Sequence, residues 1–67
     1  MKLEEIMRHL YRHEINCEIS CFWDGGWDVR LGDRINGFKA EDNFDTLPEC
    51  AAFLEARARE FYPRAFE

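Results

Sequence analysis

A chain of 67 residues with 46% hydrophobic content and a net charge of −5 suffices for one domain, residues 1–67, that buries only about 60% of the surface its unfolded form exposes. It has no run of about 18 apolar residues and no charged-then-apolar leader, which points away from a membrane span or secretory signal and towards the cytoplasm. Cys17, Cys21 and Cys50 are odd in number and lack framework spacing, so reduced, mostly buried thiols are expected.

Leu3, Ile6, Met7, Leu10 and Tyr11 recur at i, i+3, i+4, i+7 and i+8, with Lys2, Glu5, Arg8, His9, Arg12 and His13 opposite. This predicts an amphipathic helix ending near Glu14. Ile15, Cys17, Ile19, Cys21 and Trp23 then alternate with polar residues until Phe22, as a strand does, and Trp27, Val29 and Leu31 supply a second strand. A three-residue loop, Asp24-Gly25-Gly26 with Gly26 at φ > 0, pairs Trp23 with Trp27, Cys21 with Val29 and Ile19 with Leu31. All apolar pairs then share one face, and Glu18, Ser20, Phe22, Asp28 and Arg30 share the other. A two-residue Gly-Gly loop would mix the faces.

Asn36-Gly37 signals a second turn, leading into a strand through Ala40, or a longer loop if Gly32-Asp33 ends the second strand early. Thr46-Leu47-Pro48-Glu49 reads as a capping box, in which Thr46 accepts from the Glu49 amide and Glu49 reaches back to the Thr46 amide. The second helix buries Cys50, Phe53, Leu54, Ala58 and Phe61, gains a Glu55–Arg59 pair, and stops at Pro63. The expected fold is α+β, an α-β-β-β-α two-layer sandwich with both helices on one face of a three-stranded antiparallel sheet.

His9, His13, Cys17 and Cys21 form an H-x3-H-x3-C-x3-C ladder. On a strand the two cysteines lie roughly 13 Å apart, too far for one zinc with bonds of about 2.3 Å to sulfur, and a continuous helix would spread the four over about 18 Å. The aspartates match no EF-hand spacing, and no nucleophile–base pair or Gly-rich phosphate loop is evident, so no enzyme and no cofactor are expected. Seven acids stand against three bases in residues 15–45, which either favours a basic partner surface or simply keeps a small domain soluble. Phe22 on the polar face, beside Asp24 and Asp28, suggests an interface centre with a charged rim. Both tryptophans are expected to lie over the end of one of the helices.

The α-β-β-β-α order and the length resemble those of double-stranded-RNA-binding domains. That family uses bases at the start of its second helix, where Asp45-Thr46-Leu47-Pro48-Glu49-Cys50 has none, so direct nucleic-acid binding is not implied. The segment from Phe22 to Asp33, followed by Asn36-Gly37-Phe38-Lys39-Ala40-Glu41, looks like small proteins of unknown function from bacteria and phages. In size and acidity the chain is also similar to phage-encoded anti-CRISPR proteins, which share no common motif, so no functional residue carries over. That likeness implies a DNA-mimicking inhibitor in the host cytoplasm that covers the basic channel of a Cas effector complex. Combined with the surface reading, it selects Phe22, Asp24, Asp28, Asp33, Glu41, Asp42 and Asp45 as partner-binding residues. The alternative is an assembly module that forms a homodimer through an unpaired sheet edge, aided by spare aromatics such as Phe22, Phe44 and Phe66. From the ladder spacing, protein purified without chelator is expected to hold no stoichiometric zinc by elemental analysis; about one zinc per chain would overturn that reading.

Overall fold

Alternation along the second strand, where Val29 and Leu31 are fully buried, sets which face of the sheet carries the helices. A computed structural model describes residues 1–67, with helix α1 at Leu3–Arg12, strands β1 at Cys17–Phe22, β2 at Gly26–Asp33 and β3 at Gly37–Phe44, helix α2 at Leu47–Phe61, and a 3-10 turn at Pro63–Phe66. The sheet is antiparallel in the order β1-β2-β3. Ile6 and Leu10 of α1, Val29 and Leu31 of β2, and Cys50, Ala51, Leu54 and Ala58 of α2 form one core under that face. This is the expected α+β sandwich. No helix is long and apolar enough to cross a membrane.

The β1–β2 register keeps the expected faces but is displaced by two residues. Cys21 pairs with Trp27, Ile19 with Val29 and Cys17 with Leu31, so the loop is Trp23-Asp24-Gly25. Its turn is closed by the Gly25 amide on the Phe22 carbonyl at 2.9 Å. Gly26 takes φ +78° as expected, and a Cβ there would meet the Phe44 carbonyl oxygen at 2.8 Å. Asn43 supplies what the hydrophobic pattern could not specify: its Nδ2 donates to the Gly25 carbonyl and to Asp28 Oδ1, each at 2.8 Å, tying loop and β2 to β3.

The second hairpin follows the longer-loop option only in part. β2 runs on to Asp33, which pairs with Gly37 across Arg34-Ile35-Asn36. A bulge lies where the partner of Leu31 is Ala40 and that of Gly32 is Phe38, leaving Lys39 as the extra residue. Gly32 sits at φ +112° with the Gly37 carbonyl where a Cβ would stand. The bulge turns Phe38 to the outer face, over the Arg30 guanidinium.

α1 ends two residues before Glu14 in a Schellman motif, with the Glu14 amide on Tyr11 O at 3.2 Å and the Ile15 amide on Leu10 O at 2.9 Å. Its buried stripe is narrower than the pattern suggests: Tyr11 is 84% exposed and Met7 is exposed too, because one neighbouring helix and a small sheet cover only the Ile6–Leu10 line. In α2, Thr46 Oγ1 accepts from the Glu49 amide at 3.4 Å as expected, but its hydroxyl donates to the Glu49 carboxylate at 2.8 Å, which therefore does not reach the Thr46 amide. Phe61 is exposed at the end of α2, and Ala51 takes a core place instead. The 3-10 turn folds Phe66 back to stack on His9 at 4.6 Å between ring centroids, and Phe44 packs on Phe53 at 5.6 Å, so neither aromatic is spare.

The helices are parallel. Lys2, Leu3 and Glu5 share a hollow with Leu47, Pro48 and Ala51, while His13 and Ile15 share another with Tyr62 and Ala65. Both helix N-termini therefore lie at the end of the sheet that carries the first hairpin.

Glu14 takes φ +58° at the C-terminus of α1, a left-handed conformation that disfavours a Cβ, and its charge opposes the helix dipole. Glu14→Gly is expected to stabilise the fold by about 1 kcal/mol, read as a higher urea midpoint at unchanged m-value.

Candidate interaction surface

The displaced register moves Trp23 out of the ladder and onto the loop apex, where it is 94% exposed, contrary to the expected burial against a helix. Trp27 does pack against the core. Phe22, the last residue of β1, points to the outer face and is 56% exposed. Cys21, Phe22, Trp23, Asp24 and Trp27 share a shallow hollow with Asp45, which follows β3. Two exposed aromatics and two carboxylates thus meet at one end of the molecule, with no basic residue in the hollow.

The remaining candidate residues divide by what holds them. Asp28 is half-buried on β2 and accepts from Asn43, so it serves the hairpin as well as the surface. Asp42 is exposed on β3 beside it, with its own carboxylate on the Asn43 amide at 2.8 Å. Glu41 is committed to Arg30 Nε at 3.0 Å, and Arg30 also approaches Glu18 at 3.9 Å. These three form a cross-strand charge row on the outer face that partly neutralises itself. Asp33 lies at the far end of the sheet, away from the aromatic tip.

Asp33 organises the second loop. Its Oδ1 accepts the amides of Ile35 at 2.8 Å and Asn36 at 2.7 Å, and its Oδ2 accepts from Asn16 Nδ2 at 2.8 Å and Asn36 Nδ2 at 3.1 Å. These bonds, the Asn36 amide foremost, lower its pKa from 3.8 to about 2. Sequence reading named Asp33 for its charge and missed this turn-closing role, although Asp-x-x-Asn-Gly is a turn signal in its own right.

The cysteines are unpaired, but Cys21 is exposed rather than buried, because its position at the strand end lies beyond the helices. Burial raises the thiol pKa of Cys17 and of Cys50, with Glu18 and Glu49 adding to the respective effects. His9 and His13 lie close, with ring centroids 4.6 Å apart, and His9 Nε2 bonds to the Ala65 carbonyl at 2.6 Å. No group of three or more His, Cys, Asp or Glu side chains is placed to hold a metal ion. Trp23 and Asn43 are the residues of this surface that sequence reading missed. No protein-family model matches the chain, and neither a curated protein nor a solved structure matches it.

The Asp33 carboxylate, depressed in the folded state, contributes stability that is present above its ordinary pKa of 3.8 and is lost as pH falls through about 2. Asp33→Asn, compared with wild type by urea unfolding at several pH values, should therefore show its largest deficit near neutrality. The gap should narrow between about pH 4 and pH 2; a gap independent of pH would show that the loop does not depend on the charge.

Proposed function

We propose that this chain is a non-enzymatic protein-binding module whose acidic, aromatic hairpin tip docks on a basic surface of a partner. The observation that carries this reading is the joint exposure of Phe22 and Trp23 beside Asp24 and Asp45. Aromatic side chains left in water have no role in the core, and a tryptophan anchor rimmed by carboxylates suits a pocket lined by Arg and Lys. Phe22, Trp23, Asp24 and Asp45 make the centre, Asp28 and Asp42 extend the field, and Glu41 and Asp33 add long-range charge while held by their own partners. Acting as a stand-in for phosphate, such a surface would cover a basic nucleic-acid channel without touching nucleic acid. An anti-CRISPR-type inhibitor of a Cas effector complex in a bacterial cytoplasm is the specific form of this proposal.

The test measures DNA binding by Cas effector complexes of several types with and without saturating protein; inhibition of none removes the specific form. For any partner captured, Trp23→Ala is expected to raise the dissociation rate about tenfold or more. Asp24→Lys with Asp45→Lys should chiefly slow association and flatten its salt dependence. Asp45 is preferable to Asp28 here, since reversing Asp28 would break its bond to Asn43 and confound folding with binding. Unchanged kinetics in both variants would place the interface on another face.

A further inference from the structure

The two edges of the sheet differ in a way the core does not require. β3 is blunted by the bulge at Lys39 and by Lys39, Glu41 and Asp42 along its length. β1, Cys17-Glu18-Ile19-Ser20-Cys21-Phe22, has one charged residue, no proline and an unbroken register with β2. The Gly32 amide donates to the Asn16 carbonyl at 2.7 Å, and this pair continues the β1–β2 register. Hydrogen-bonded and non-hydrogen-bonded pairs alternate along an antiparallel ladder, so Asn16, Glu18, Ser20 and Phe22 turn their backbone groups to β2. Cys17, Ile19 and Cys21 turn theirs outward, to an edge that no other element of the chain pairs with.

We propose that this edge is a self-docking surface, on which a second copy of the chain adds its β1 antiparallel about a two-fold axis at Ile19 to make a continuous six-stranded sheet. The choice of occupant rests on self-complementarity. Centring the axis on Ile19 sets Cys17 opposite the second copy's Cys21 and Ile19 opposite its own counterpart, so all three outward-facing residues exchange both backbone bonds. The apolar face stays apolar across the junction. On the outer face Glu18 meets Ser20 of the second copy and not another carboxylate, which avoids like-charge opposition. Shifting the axis by half a residue would mix the two faces.

Exposed apolar groups flank this edge. α2 packs over β2 and β3, which leaves α1 on the β1 side, and His9 marks the flank of α1 that faces the end of α2. Met7 and Tyr11 lie on the opposite flank, exposed, on the side of the open edge. In the dimer they would extend the contact beyond the strands. Phe22 and Trp23 of each copy remain at the outer ends of the joined strands, so the dimer would present two acidic tips.

Light scattering across a range of concentrations should give twice the 8.0 kDa chain mass, and Cys21→Pro, which deletes an outward-facing amide and leaves the β1–β2 ladder intact, should return the monomer. A second measurement reads the register directly and does not depend on that variant folding. Protein retaining only Cys21 (C17S with C50S) is mixed with protein retaining only Cys17 (C21S with C50S) and treated with dibromobimane, which bridges only closely adjacent thiols. Cross-linked dimer is expected in the mixture and in neither protein alone. A monomer at every concentration overturns the proposal, and so does a dimer that survives Cys21→Pro or one that cross-links through Cys21 alone. Cys21 borders the hairpin hollow, but light scattering and cross-linking of the protein alone involve no other partner, so they succeed or fail independently of partner binding.

Discussion

Burial of Val29 and Leu31 beneath two parallel helices is the constraint on which the rest of this small fold depends. β2 is the central strand, and its alternation fixes which residues of β1 and β3 face the helices. A slip of one residue on either side would bring Glu18 or Glu41 into the core, where no cation stands to meet it. The outer face can therefore remain polar, and Glu18, Arg30 and Glu41 lie across it as a charge row. With few core residues, each fully buried side chain carries a large share of a marginal stability, on the order of 0.05–0.15 kcal/mol per residue of chain.

The same alternation explains what could be read from the amino-acid sequence. Face assignment, element order, the position of α2 and the positive φ of Gly26 all follow from periodicity and turn chemistry. The hairpin register does not, because registers that differ by two residues put the same side chains on the same faces. Only specific contacts separate them. Here the Asn43 side chain, bonded to the Gly25 carbonyl and Asp28, favours a loop at Trp23-Asp24-Gly25. Asn43, eighteen positions beyond Gly25, thus favours the register that leaves Trp23 on the surface, and no local pattern carries that information. The exposure of Tyr11 has a similar origin: the helical pattern counts it as apolar, but the sheet is too narrow to cover it.

The candidate site was legible in kind and less so in detail. Phe22, Asp24 and Asp45 do gather at the hairpin end, as a strand ending in an acidic turn would suggest. Asp33 and Glu41 resemble them in the sequence and differ in the structure, because each is already satisfied within the chain, one by four loop donors and the other by Arg30. Counting charge along a chain cannot distinguish a carboxylate that holds a turn from one that faces water.

What selection for folding leaves unexplained falls in two places, the aromatic tip and the bare edge of β1. Solubility alone would favour a polar residue at position 23 and a charge or proline at one of the outward-facing positions of β1. The chain has Trp23 at the first, and Cys17, Ile19 and Cys21 at the second. β3 shows that the same sheet accommodates a bulge and charges at an edge without loss of the core, so the bareness of β1 is not forced by the fold. The two features use different groups, since pairing at β1 would use backbone groups of Cys17, Ile19 and Cys21 while the tip offers the side chains of Phe22, Trp23, Asp24 and Asp45. Pairing through the β1 edge, as proposed, would therefore leave the acidic aromatic side chains free for a different partner.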